Sequence, residues 1–200
     1  VKYFIDGRIG KSYEQLKQAL VEGSRAGLVR QFSSPWVLEM LYEYYRLGFD
    51  PIPDFHYPDI VQRIIEGVNI HLQGVAHRLS AKEALNRGDD PQLAVQKLIK
   101  SEACLRQSGD TLQLSKTLLE KARIALSKGN RPEARRIAKE AHYCLGGYYE
   151  EFFPLEFQHL LEGEEEDIIE KEPQRELLEK YLEMIESLYP SESQEEILAK

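Results

Sequence analysis

A segment of about eighty residues resembles itself at a spacing of 40–41, and that period restricts the fold more than any other feature of the chain. Gly88 and Pro91 recur as Gly129 and Pro132, 41 residues on. Ahead of them, Ala81, Ala84 and Leu85 recur as Ala122, Ala125 and Leu126 at the same spacing. Beyond them, Ala94, Leu98, Cys104 and Leu105 line up with Ala134, Ala138, Cys144 and Leu145 at a spacing of 40, so one residue is lost in the turn. A helix–turn–helix unit with this period buries its apolar stripe only against its neighbours. The prediction is an all-α fold of antiparallel helix pairs, an α-solenoid. Such architectures bind macromolecules more often than they transform substrates.

Helical signals dominate from residue 12 onward. Ser12-Tyr13-Glu14-Gln15 reads as a capping box, with Leu16, Ala19 and Leu20 as the buried stripe and Gly23 and Gly27 as the stop. Ser34-Pro35 starts the next helix, whose apolar face is Trp36, Val37, Met40, Leu41 and Tyr44, ending at Gly48. Helices are then expected at 59–66, 71–87, 92–106, 111–128 and 132–145. Only residues 1–5 (VKYFI) and 28–32 have strand character. The chain therefore divides into an N-terminal helical subdomain (1–49), a proline-rich extended connector (50–58), the repeats with an aromatic cap (59–161), and an acidic segment leading into an amphipathic helix (162–200). Val1 in place of Met, and a capped helix beginning at Ser193 and Glu196, suggest a piece of a longer protein with a following domain.

Charge is distributed unevenly. Residues 1–149 hold 22 Lys/Arg and 17 Asp/Glu, whereas 150–200 hold 4 and 17. The basic part is densest from Lys116 to Lys139. The two sections can attract each other, or the basic face can meet an acidic partner.

Two motifs invite a chemical reading. GRIGKS (Gly7–Ser12) precedes a helix as a phosphate-binding loop would, but only Arg8 and Ile9 separate its glycines, too little backbone to wrap a phosphate. His71 and His77, six apart on one helix, point about 120° away from each other and cannot share a metal. Cys104 and Cys144 occupy equivalent repeat positions and read as small core residues. No catalytic constellation, cofactor site or metal site emerges, so a non-enzymatic protein is expected. No apolar run approaches the roughly 18–20 residues that cross a bilayer. A cytoplasmic location is expected.

Residues 70–146 resemble tetratricopeptide repeats. The match rests on Ala81, Ala84, Gly88, Asp89, Ala94, Leu98 and Ser101 in the first unit. In the second it rests on Leu118, Ala122, Ala125, Gly129, Asn130, Ala134, Ala138 and Ala141. The family's early aromatic and first-helix glycine are not matched, and units of 40–41 residues exceed the usual 34. The resemblance implies a groove lined by each unit's first helix, with His77, Arg78, Lys82, Lys121 and Arg123 as candidates. The implied ligand is an acidic peptide or partner helix. The flanking segments resemble the helical region of large bacterial sensor and enhancer-binding transcription regulators, which implies a signalling role. The alternatives are a nucleotide-binding enzyme or switch using GRIGKS, and nucleic-acid binding through the basic second repeat. The acidic total and the lack of interleaved aromatics speak against the latter.

Leu178, Tyr181, Leu182, Ile185 and Leu188 form a stripe too apolar to leave in water, which points to a homodimer or to docking on the repeats. Self-association is the expected outcome. Light scattering should show a dimer that the Leu182→Asp/Ile185→Asp double variant abolishes; a monomeric parent at high concentration would leave intramolecular docking.

Overall fold

The computed structural model describes residues 2–26, 34–146 and 153–162, and among these it is all-α. Three helices precede the connector: α1 (Lys2–Ile5), α2 (Ile9–Arg25) and α3 (Pro35–Arg46). After it come α4 (Tyr57–Glu66), α5 (Ile70–Asn86), α6 (Pro91–Ser108), α7 (Thr111–Ser127), α8 (Arg131–Leu145) and α9 (Leu155–Glu162). No described helix is long and apolar enough to cross a membrane. Residues 28–32, Tyr148, Tyr149, Phe152 and the stripe from Leu178 to Leu188 lie outside the described residues.

The internal repeat reappears as a repeated set of hydrogen bonds. At the end of α5, Gly88 takes φ +74° and its N–H reaches the Leu85 carbonyl, while the Asp89 N–H reaches that of Ala84. At the end of α7, Gly129 at φ +72° bonds to Leu126, and Asn130 bonds to Ala125. This double closure of the last helical turn needs a left-handed residue, which glycine supplies without strain. The lost residue is now located. In the first unit Asp89 closes α5 and a separate residue, Asp90, caps α6 by accepting from Gln92 N. In the second unit Asn130 does both jobs, its side chain accepting from Glu133 N. Pro91 is therefore the first residue of its helix and Pro132 the second, although they match in sequence.

Packing follows one rule along the chain. Short connections fold each helix back on the last, so α3 meets α4, α5 meets α6 and α7 meets α8. The alternate helices touch as well, α3 with α5 and α5 with α7. Alanines make this possible: Ala81, Ala84, Ala94, Ala122, Ala134, Ala138 and Ala141 are all fully buried. At the closest approach α5 carries a glycine, Gly74, beyond those the sequence comparison matched. Ser101 Oγ on α6 donates to the Gly74 carbonyl at 2.7 Å and lies 2.9 Å from Thr117 Oγ1 on α7, tying three helices together. Phe153, Phe157 and Leu160, on and just before α9, are buried in the same apolar cluster as α7 and α8.

Four details of the N-terminal part differ from expectation. Residues 2–5 form a helical turn rather than a strand. Helix α2 starts at Ile9, so Ser12 is no cap; it sits inside the helix, buried, and accepts a 2.6 Å hydrogen bond from the Tyr44 hydroxyl. Gly7, at φ +73°, turns the chain between α1 and α2 and makes the early start possible. Gly23 does not stop α2, which runs on to Arg25, and Ala19 is exposed. An aromatic cluster replaces local signals here: Tyr13 packs edge-on against Tyr44 at 5.4 Å and lies 4.7 Å from Phe49. The connector is a tight turn whose Ile52, Phe55 and Tyr57 are buried in the main core.

A Cβ on Gly74 would stand 2.5 Å from Leu105 Cγ, whereas one on Gly10 in α2 meets nothing within 4 Å. Gly74→Ala should therefore destabilise by about 1–3 kcal/mol through overpacking. Gly10→Ala should stabilise by roughly 0.5–1 kcal/mol, the usual gain from replacing a helical glycine. Urea denaturation of the two variants checks the contrast; a Gly74→Ala protein as stable as the parent would show that α5 and α6 do not meet there.

Candidate functional site

Helices α3, α5, α7 and α9 are joined by a line of opposite charges. It begins at Glu39, one turn into α3 where Pro35 starts the helix. Arg78 of α5 donates from Nη2 to Glu39 Oε1 at 2.6 Å and to Gln113 Oε1 of α7 at 2.5 Å. Lys116 of α7 donates to both Glu39 oxygens at 3.0 and 3.1 Å, and its ammonium lies 4.7 Å from the Trp36 ring. One carboxylate thus holds cations from two helices.

Further along, Lys82 of α5 lies 3.8 Å from Glu120 of α7 and 5.4 Å from the Tyr42 ring of α3. Glu120 also accepts from Arg123 at 2.9 Å. Arg123 then reaches out to Glu156 of α9 at 2.7 Å and lies over the Phe157 ring at 5.3 Å. Lys82 and Arg123 are 41 residues apart, so the cation recurs in the next unit, whereas its carboxylate partners Glu120 and Glu156 are 36 apart. Helix α9 packs on α8 and is tied to α7 through Arg123.

Burial makes these pairs electrostatically strong. Side-chain exposure is 5% for Arg78, 11% for Lys116 and 18% for Glu39. Burial by itself would raise the Glu39 carboxyl, but the charges of Lys116 and Arg78 and their hydrogen bonds outweigh it and hold it at about 2. Burial pulls Lys116 down to about 8, with Glu39 opposing and Arg78 and Lys82 adding to the fall. Burial also works against ionised Glu120, yet Arg123, Lys82 and Arg78 prevail and lower it. One polar atom in the knot is left over: Arg78 Nε is buried without a hydrogen-bond partner.

Of the five groove candidates, the structure brings Arg78, Lys82 and Arg123 onto this line. His77 and Lys121 turn towards α6. His77 is lowered first by burial and then by Lys100 and Lys97, and Lys121 donates to Glu102 at 2.6 Å. Glu39, Gln113, Lys116, Glu120 and Glu156 complete the line, and the sequence singled out none of them as groove residues. Their only trace is the 41-residue recurrence of Lys82 as Arg123, which marks one side of each pair.

The other motifs are placed as follows. Gly10, Lys11 and Ser12 of GRIGKS lie inside α2, Lys11 sits 4.4 Å from the Tyr3 ring, and no phosphate-wrapping loop is formed. His71 Nε2 lies 2.7 Å from Asp110 Oδ2, the side chain that caps α7. Cys104 and Cys144 are half-buried free thiols, both pushed up by burial. Among the described residues, no three His, Cys, Asp or Glu side chains gather so as to hold a metal. A small aromatic hollow between Tyr13, Tyr44, Phe49 and Tyr57 measures about 20 Å³, room for roughly one water. No protein-family model, curated protein or solved structure matches the chain.

Glu39 is held far below its ordinary 4.5 in the folded state, so its stabilisation is present above about pH 4.5 and is lost as pH falls towards about 2. Glu39→Gln at neutral pH leaves two buried cations short of an anion and should cost about 3 kcal/mol. The gap between parent and variant in urea midpoint should narrow across that acid window. A gap that stays constant with pH would mean Glu39 is not held ionised by Arg78 and Lys116.

Proposed function

We propose that this chain is a non-catalytic, tetratricopeptide-like interaction and regulatory module, acting in the cytoplasm as part of a larger signalling or transcription-regulatory protein. Its first helices α3, α5 and α7 would form the inner face of a solenoid, and α4, α6 and α8 the outer one. The observation that carries this reading is α9 itself. A short acidic helix packs on α8 and reaches α7, with its carboxylate on Arg123 and its aromatic ring beneath the guanidinium. Arg123 thus meets side chains of the chemistry expected of a partner helix, an acidic group beside an aromatic anchor. Lys82 and Glu120 repeat the arrangement one unit earlier, which makes the recognition modular.

The groove cations are satisfied within the chain, so an acidic partner must compete with α9 rather than meet open cations. Affinity would then be reduced by the fraction of time α9 is in place. That is a regulatory property, since anything that frees α9 raises affinity for the partner.

A peptide of residues 153–162 offers the direct test. It should bind measurably, by fluorescence anisotropy, to a chain whose own α9 is loosened by Glu156→Ala/Phe157→Ala, and at least tenfold more weakly to the parent. Adding Arg123→Glu should abolish binding. If the loosened chain keeps its helical circular dichroism and still ignores the peptide, the α7 face is not a helix-binding surface.

A further inference from the structure

Helix α8 carries a charged ridge that lies apart from the line of charges joining α3, α5, α7 and α9. Arg131, Arg135 and Lys139 follow one another every four residues, and all three are exposed. Positions four apart form a continuous ridge on a helix, each step rising about 6 Å along the axis. One step further on the same ridge stands Tyr143, 86% exposed, whereas Tyr13, Tyr42, Tyr44 and Tyr57 are all buried. Along the sequence no aromatic is interleaved with the cations from Lys116 to Lys139. The helix brings one into line with them.

Among the described residues, no carboxylate lies within ion-pair distance of Arg131, Arg135 or Lys139. The carboxylates nearest in sequence are engaged elsewhere: Glu133 pairs with Arg136, and Glu140 with Arg106 and Arg136. Arg135 Nη2 donates to the Leu161 carbonyl at 3.0 Å, which steadies the guanidinium without cancelling its charge. Like charges at this spacing repel, so the ridge favours an anionic occupant.

The shape of the ridge and its aromatic choose that occupant. An acidic protein segment is held by a groove or pocket that buries an apolar anchor beside the charges. Here the surface is convex, and Tyr143 projects into solvent. A polymer with evenly spaced charges matches an even row of cations, and an exposed ring at the end of such a row is a platform for an unpaired base. We propose that the Arg131–Arg135–Lys139–Tyr143 ridge binds single-stranded nucleic acid, the cations meeting successive phosphates and Tyr143 stacking on a base. Duplex is disfavoured, because its bases already stack on one another and offer Tyr143 no free face. Binding tolerates any sequence, since phosphates are uniform and every base has a face to stack. The net charge of −8 belongs to the whole chain. At physiological salt charges are screened over about 8 Å, so the local ridge governs the contact rather than the total.

Fluorescence anisotropy of a labelled oligodeoxythymidine titrated with the full chain tests this. The parent should bind at low salt, with log affinity falling against log salt at a slope of about −2, roughly 0.7 for each of three phosphates. Arg131→Glu/Arg135→Glu should weaken binding tenfold or more with helical circular dichroism unchanged, while Arg131→Lys/Arg135→Lys retains it. Tyr143→Ala should lose about fivefold or more, the effect of one stacked base, and keep the salt slope; Tyr143→Phe should bind like the parent. A duplex of the same length should bind more weakly, and polyglutamate of equal charge should displace the oligonucleotide poorly. A parent that ignores the oligonucleotide at low salt, or a Tyr143→Ala variant indistinguishable from it, would overturn the proposal. So would equal displacement by polyglutamate, which would mark the ridge as a surface for acidic proteins.

Discussion

The Glu39 carboxylate ties three helices of the described part of this molecule together. Arg78 and Lys116 approach it from two different helices, and Gln113 accepts a second hydrogen bond from Arg78. Desolvating three charges is costly, and an apolar replacement of equal shape could be as stable. What the ionic knot contributes is geometry. Glu39 can meet both cations only when α3 lies across α5 and α7 at one height. An apolar contact in the same place would tolerate sliding, because hydrophobic attraction has no direction. The knot therefore sets the register of α3, and α3 carries Tyr42 and Tyr44 into the main core.

The same logic is used again along the line of charges that leads to α9. Lys82–Glu120 and Arg123–Glu156 join successive first helices, and the exposure of the cation rises from 18% at Lys82 to 31% at Arg123. Solvent screening grows with exposure, so the Arg123–Glu156 pair is screened more than the Arg78–Glu39 pair.

Close helix contact depends on a few very small side chains. Gly74 lets the α5 backbone approach Leu105 and accept from Ser101, and the buried alanines do the same elsewhere. The corresponding position in the next unit, 41 residues on, is Ser115, whose buried hydroxyl lacks a hydrogen-bond partner. The two units are thus copies in turn geometry but not in the chemistry of their contacts, as expected where packing rather than identity is selected.

Much of the helical skeleton was legible in the residues alone. Gly88 and Gly129 allow a left-handed turn, Ser34-Pro35 starts a helix, and the apolar period assigns the helices; all of these are local effects with a range of a few residues. Local rules failed where a distant partner decided the outcome. Ser12 has the pattern of a cap, but Tyr44, 32 residues away, offers its hydroxyl a buried hydrogen bond and draws it into a helix interior. The line of charges was visible only on one side, as the repeating Lys82 and Arg123. Glu39 reaches Lys116 across 77 residues, and no periodicity within either helix encodes that meeting. Sequence by itself determined which stretches are helices and how consecutive ones turn back. Tertiary structure alone decided which charges are buried together, because the energy of an ion pair depends on the solvent excluded by every helix around it and not on the residues beside it in the chain.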